Sequence, residues 1–234
     1  MTYTEKGQIH CPTATEDVMS KTRIYATSTE ALADINDGAT IMCGGFGGAG
    51  YPHNLISGLA DRKVKGLTVI ANNAGHEALF AYGGVRKVVC SYPLGPTSKG
   101  FLEVLDRGEA ELELEPQGTL VERIRTAGAG LGGFLTQVGL GTELVAGKPL
   151  IDLDGKQYAV CKPIMADFAL IKAWKADQAG NLIYRHAARN FNSVMAMAAP
   201  IVIVEVSEII DGYLDPDSIH TSGAFVDRLV EVGK

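Results

Sequence analysis

Ala39-Thr40-Ile41-Met42-Cys43 runs without a break into Gly44-Gly45-Phe46-Gly47-Gly48-Ala49-Gly50-Tyr51 and then Pro52, after which residues 53–61 have the spacing of a helix. A short apolar run that ends in glycine reads as a buried strand. Pro52 suits a helix start, where its missing N–H would have no partner anyway. The stretch therefore predicts strand, glycine loop, helix. Upstream, residues 29–36 read as a short helix and Asp37-Gly38 as a turn. Downstream the unit recurs. Residues 67–71 form a second apolar strand ending at Asn72-Asn73-Ala74-Gly75, and residues 87–91 a third ending at Tyr92-Pro93. Residues 98–107 carry Phe101, Leu102 and Leu105 at helical spacing, closed by Gly108.

The second half is less regular. Residues 109–115 alternate acid with Ala or Leu, the period of a strand wet on one face. Glu111, Glu113 and Glu115 are therefore expected on the solvated side of an edge strand. Pro116-Gln117-Gly118 ends it, and Thr119 with Glu122 three residues on predicts a capping box for a helix through Arg125. Residues 126–150 are Gly-rich and expected to be mostly loop, and 151–158 a hairpin on Asp154-Gly155. Residues 168–174 and 201–206 complete the apolar strands. Strands alternating with helices predict an α/β fold: a single open, mostly parallel sheet with helices on both faces. We expect a polar extension over residues 1–22 and one domain over 23–234.

Composition narrows the function. The 234 residues carry 21 basic and 27 acidic side chains, a formal charge of −6, which argues against nucleic acid as a partner. The longest uncharged apolar run, residues 194–204, is too short to cross a bilayer and contains Pro200, so no membrane association is expected. The first twenty residues do not suit a signal peptide. Cys11, Cys43, Cys90 and Cys161 lie far apart with no C-x-x-C pair, which suits reduced thiols and a cytoplasmic protein.

Ligands in open α/β sheets bind beyond the carboxyl ends of the strands. Three such ends carry unusual residues here: the glycine loop 44–50, Asn72-Asn73 and Gln117-Gly118. Any one of them is simple turn chemistry; together they mark a candidate site. Gly45, Gly47 and Gly50 spell G-x-G-x-x-G, yet a dinucleotide fold requires an acid at the end of the next strand, where this chain has Asn72-Asn73. Gly128, Gly130 and Gly133 repeat the pattern after a helix, which shows how little it means in a chain with 28 glycines. What remains is a loop of bare backbone N–H groups able to approach a phosphate or an oxyanion. His76-Glu77 begins like a zinc-protease motif, but Phe80 stands where the second His belongs, and no metal set is found. Cys43 and Cys90 read as core, and Ser57 and Ser91 sit in no nucleophile elbow. Arg185, His186, Arg189 and Asn190 form a polar cluster, most simply a solvated helix face. The residues supply a crevice and no convincing catalytic group.

From Asp37 through Pro52 the chain resembles the first signature of the family I coenzyme A transferases: Asp-Gly, two residues, three apolar, Gly-Gly-Phe, three residues, Gly, one residue, Pro. The likeness extends through Asn72-Asn73-Ala74-Gly75, Pro116-Gln117-Gly118-Thr119, Gly128 to Gly133, residues 167–173, Gly180-Asn181-Leu182 and Ala188-Arg189-Asn190-Phe191-Asn192, covering about residues 24 to 230. Within the family it looks like the A (α) subunits that act on 3-oxo acids.

The resemblance implies a half-site. The family's nucleophile is a glutamate in a Ser-Glu-Asn-Gly motif on a B subunit, whereas Ser207-Glu208 here continues as Ile209-Ile210. Gly44, Gly45, Phe46, Gly47, Gly48, Ala49 and Gly50 would be the coenzyme A-binding segment, and Asn72, Asn73 and Gln117 would support the partner's glutamate. Acyl-CoA and a carboxylic acid would be the substrates, with coenzyme A a transient covalent adduct and no metal or further cofactor. Assembly would be a hetero-oligomer, either a heterodimer or a dimer of heterodimers. After Gly75 the chain departs from the family pattern: several apolar and glycine residues are missing and His76-Glu77-Ala78 stands instead. That leaves the acceptor acid open. Gln137-Val138 likewise replaces the usual Pro-Thr. The competing reading is a small-ligand sensor or isomerase-like domain of the same general fold.

Overall fold

The computed structural model describes residues 2–3, 9–10, 22–74, 76–94 and 98–233. Most of the expected extension, with Cys11, and Gly75 lie outside the described residues. Strands β1 (Thr2–Tyr3) and β2 (Ile9–His10) pair antiparallel. Then follow β3 (Arg23–Tyr25), α1 (Ser28–Ala31), β4 (Thr40–Cys43), α2 (His53–Asp61), β5 (Leu67–Ala71), α3 (Glu77–Phe80), β6 (Val85–Cys90), α4 (Lys99–Asp106), β7 (Glu111–Leu114) and α5 (Gln117–Gly128). The second half holds β8 (Phe134–Thr136), β9 (Leu150–Leu153), β10 (Lys156–Cys161), β11 (Phe168–Ala176), β12 (Leu182–Ile183), α6 (Asn190–Met195), β13 (Ile201–Ile209) and β14 (Arg228–Glu231).

Eight strands form one open sheet in the order β3-β14-β13-β11-β4-β5-β6-β7, every neighbouring pair parallel, with β12 antiparallel to the end of β11. This is the mostly parallel sheet expected. Side chains of a strand alternate between its faces, so a strand covered on both sides must be apolar throughout. Ile41 and Cys43, Val69 and Ala71, and Val88 and Cys90 pack on one face under α1 to α4, with Leu55, Leu59, Leu79 and Phe101. Met42, Ile70 and Val89 pack on the other under α5 and α6, with Leu120, Ile124, Phe191 and Met195.

Two local expectations need correction. Helix α5 begins at Gln117 with Pro116 at its cap, and Thr119 makes no capping bond; it lies buried inside the first turn. The fixed φ of Pro116 starts the helix three residues before the capping box would. β7 is an edge strand, but only Glu111 keeps to the solvated side. Glu115 is 3% exposed and is paired with Arg123 and Lys148, at 2.7 and 3.1 Å. Glu113 is drawn in by Lys87 and Arg123, at 2.6 and 2.8 Å. Burial works to raise its carboxyl, but the two cations together outweigh it and hold the group below the usual range. Residues 126–150 are largely loop, as expected, with short regular pieces among them. They finish α5 and supply β8, which joins β10 and β9 in a separate three-stranded antiparallel sheet. Its hairpin turns on Asp154-Gly155 as predicted, both residues at positive φ (50° and 74°), the twist a two-residue hairpin needs.

One buried charge ties the strands to a helix. Glu205 of β13 has no exposed side-chain surface, and its Oε2 accepts hydrogen bonds from the amides of Asn54 and Leu55, at 2.6 and 3.2 Å, in the first turn of α2. Its Oε1 pairs with Lys172 Nζ of β11 at 2.8 Å. A carboxylate at a helix N-terminus satisfies orphan donors and the helix dipole together. We expect Glu205→Gln to lower stability by about 2–3 kcal/mol in urea denaturation, because the neutral amide gives up both the ion pair and the charge facing the helix end. Glu109→Gln, which breaks the surface pair with Arg107, should leave the urea midpoint unmoved.

Candidate functional site

β4, β5, β6 and β7 run parallel, so the glycine loop, Asn72-Asn73 and Gln117 all emerge on the carboxyl edge of the sheet. The side chains then join up. Gln117 Nε2 donates to Asn72 Oδ1 at 2.7 Å, reaching across the end of β6, and the Tyr51 hydroxyl donates to Asn73 Oδ1. Asn72 is itself fixed, because its carbonyl accepts the amides of both Ser91 and Tyr92 at 3.0 Å. Its Nδ2 has no acceptor among the described residues and remains a donor at the edge. The three segments picked out from the sequence thus form one continuous wall: glycine loop, Tyr51, Asn73, Asn72, Gln117.

The loop is shaped by its glycines in two ways. β4 ends at Cys43 while its neighbour β11 continues to Ala176, so the β11 edge loses its partner at Gly44. The Asn192 side chain takes over there. Its Oδ1 accepts the Lys172 amide at 2.9 Å, and its Nδ2 donates to Gly50 O and Ala188 O at 3.0 and 2.7 Å. Asn190 Nδ2 adds a bond to Ala49 O at 3.1 Å. A Cβ on Gly44 would stand 1.9 Å from Asn192 Oδ1, and one on Gly50 2.8 Å from the Ala188 carbonyl. Gly44 and Gly50 are therefore packing glycines. At the tip, Gly47 and Gly48 have φ of +57° and +87°, a Cβ there would meet nothing within 4 Å, and neither amide has an acceptor among the described residues. That tip is the bare backbone the sequence suggested.

Asn190 and Asn192 are the residues sequence reasoning undervalues. Spacing groups Asn190 with Arg185, His186 and Arg189 as a solvated face, but it clamps the loop, while Arg185, His186 and Arg189 are exposed as expected. Beside them a cleft of about 390 Å³ opens, lined by Gly50, Lys172, Trp174, Arg185, Ala188 and Ser207. The charge of Lys172 is already balanced by Glu205. Arg185, stacked 5.3 Å from the Trp174 ring, has no ion pair among the described residues and is the cation of that lining left to a ligand.

Burial disarms two of the thiols. It pushes the Cys43 thiol up to about 12 and the Cys90 thiol to about 11, leaving neither as a thiolate near neutral pH. Glu208, of the Ser207-Glu208 pair, is in an ion pair with Lys175 at 3.1 Å. Among the described residues, no three His, Cys, Asp or Glu side chains are placed to hold a metal ion. The edge also gathers unpaired polar groups. Of seven buried side-chain nitrogen and oxygen atoms without a partner among the described residues, five belong to His76, Ser91, Ser98 and Thr119, all beyond the carboxyl ends of β5, β6 and β7. Unpaired buried groups cost about 1–3 kcal/mol each.

The family model described as "Coenzyme A transferase" matches residues 25–232. The A subunit of the 3-oxoadipate CoA-transferase of Acinetobacter baylyi is 50% identical over 213 residues, covering 88% of this chain and 93% of that protein. The A subunit of the succinyl-CoA:3-ketoacid coenzyme A transferase of Xanthomonas campestris pv. campestris (strain B100) is 49% identical over 213 residues, covering 88% and 87%. Among solved structures, the decarboxylase AibA/AibB superposes with a TM-score of 0.80 at 26% identity, covering 92% of this chain and 84% of that one.

The two classes of loop glycine should separate on substitution. Gly44→Ala must displace buried Asn192 and is expected to cost about 2–4 kcal/mol. Gly47→Asn, which keeps a residue tolerant of positive φ, should stay within about 1 kcal/mol of the wild type. Thermal melts of the two variants check this.

Proposed function

The chain belongs to the coenzyme A transferase family, and from that membership we infer that it is the A subunit of a two-subunit enzyme that moves coenzyme A from an acyl-CoA, with succinyl-CoA as donor, to a 3-oxo acid. The sensor alternative gains no support from these relatives. The partner is a B subunit, in a heterodimer or a dimer of heterodimers, and the setting is the cytoplasm. Among the described residues no helix is long and apolar enough to cross a membrane, and Cys43, Cys90 and Cys161 are free thiols. Leu135, Leu150, Ile151 and Leu153 are exposed on the small sheet, apolar surface of the kind a second protein chain covers.

In the proposed cycle a glutamate from the B subunit's active-site motif attacks the acyl-CoA carbonyl and expels CoA thiolate, leaving a mixed anhydride. The thiolate attacks the glutamyl carbonyl and releases the donor acid, which leaves a glutamyl-CoA thioester. The acceptor carboxylate then repeats the two steps in reverse, and the glutamate is restored. Each attack puts negative charge on a carbonyl oxygen. Asn72 Nδ2 supplies a fixed donor for that oxygen, and Gln117 and Asn73 hold the carboxylates in line. The amides of Gly47 and Gly48, with no side chain above them, take the coenzyme against the loop. No metal is called for in acyl and thiol exchange.

The observation that carries this reading is the Gln117–Asn72 and Tyr51–Asn73 hydrogen-bonded wall beside a bare glycine tip, with no nucleophile among its members. The expected outcome is that this chain alone shows no transfer from succinyl-CoA to acetoacetate or 3-oxoadipate, and that the mixture with its B subunit does. Borohydride after incubation with acyl-CoA should modify a glutamate of the B subunit only; a modified glutamate in this chain would overturn the half-site. In the mixture, Gln117→Ala should lower kcat about 10² to 10³-fold with assembly intact, because it frees the Asn72 carboxamide that faces the developing oxyanion.

A further inference from the structure

His76 is the one side chain at the edge with two orphaned atoms among the described residues. It is 1% exposed, and neither Nδ1 nor Nε2 has a hydrogen-bond partner there. An imidazole always has one donor and one acceptor to satisfy when neutral. Burying both unpaired works against folding, and a Leu or Phe in the same place would avoid the cost. The ring is held within the wall already described. It stands edge-on to Tyr51, ring centres 6.0 Å apart at 66°, and the hydroxyl of that same Tyr51 is bonded to Asn73. His76 also opens the segment in which the chain departs from the family signature, three residues beyond Asn73. Its charge state is set by its surroundings. Burial first, and the nearby His53 second, push the ring down to about 4, so it is neutral at working pH. A neutral N–H cannot balance a carboxylate, but it suits an uncharged oxygen such as a ketone.

Building on the CoA-transfer reading, we propose that His76 is a specificity-determining residue that donates a hydrogen bond to an uncharged oxygen on the acyl chain of the acceptor, and so selects 3-oxo acids over plain aliphatic ones. An acid seated against Asn73 is one side chain from the imidazole, through Tyr51, and its oxygen supplies the partner that the described residues do not. A site built to hydrogen-bond a substrate oxygen rejects the analogue without it, because its own polar group is then left unpaired.

The test uses the enzyme reconstituted with its B subunit, and compares kcat/KM for acetoacetate and butyrate as acceptors from succinyl-CoA. His76→Phe should keep or raise the melting temperature, since it removes two unpaired polar atoms from a buried site. It should lower kcat/KM for acetoacetate at least ~30-fold while that for butyrate stays within about threefold. His76→Gln, which keeps an N–H of similar reach, should recover part of the preference and serves also if the Phe variant fails to fold. An unchanged preference in the folded variants, or a parallel loss for both acids, would overturn the proposal while leaving the CoA-transfer reading standing. A wild-type mixture that transfers coenzyme A to no acid would overturn both.

Discussion

The carboxyl edge of this sheet depends on how β11 is finished once β4 has left it. β4 stops at Cys43, and the chain must turn out of the sheet while β11 still has amides to satisfy. Asn192 supplies the acceptor for the Lys172 amide, and with the same carboxamide ties down Gly50 and Ala188. From the neighbouring strand β13, Glu205 holds the Lys172 side chain and the first amides of α2. The loop is therefore anchored at its entry by Gly44, at its exit by Gly50 and α2, and free only at its tip. A loop held at both ends places its amides without having to order them when a ligand arrives, which is the preorganisation a binding segment needs.

The occupation of α2 by Glu205 also bears on what the loop can bind. In a dinucleotide fold the helix after the glycine loop points its free N-terminal amides at a phosphate. Here those of Asn54 and Leu55 are already bonded to a buried carboxylate, which would repel a second anion. The exclusion drawn from Asn72-Asn73 thus has an independent electrostatic reason, and the proposed coenzyme contact is left to the tip amides of Gly47 and Gly48.

The larger sheet is readable from the sequence because strands buried on both faces leave runs such as Leu67–Ala71 and residues 201–204 that no wet strand would carry. The wall is half readable. Asparagine and glutamine at three strand ends stand out, but that Gln117 meets Asn72 across β6 depends on strand order, which one sequence does not encode locally. Asn192 cannot be found by spacing, since it lies 142 positions from the Gly50 it holds. The failures at Glu115 and Thr119 share a cause: a local rule, alternation or a capping box, is overridden by long-range partners and by a proline next door. The orphaned nitrogens of His76 leave no trace in the sequence at all.

What lines the edge is as informative as what is missing. Lys172 is committed to Glu205, Lys87 and Arg123 to Glu113, and Lys148 with Arg123 to Glu115, so these cations are spent on internal acids. The proposed wall of Asn72, Asn73, Gln117, Tyr51 and a neutral His76 carries no fixed charge. A transferase of this kind must handle a nucleophilic carboxylate, a leaving carboxylate and an acceptor carboxylate in turn. A fixed cation would bind each of these ground states and deepen the well from which every step must climb. It would also hold the glutamate's lone pairs and blunt its attack. Neutral amides attract a carboxylate less and a concentrated oxyanion more, so they favour the points along the path where charge is moving between atoms. On the proposed cycle a neutral wall therefore suits the reaction, and the ion pairs beneath the sheet edge keep these four cations away from it.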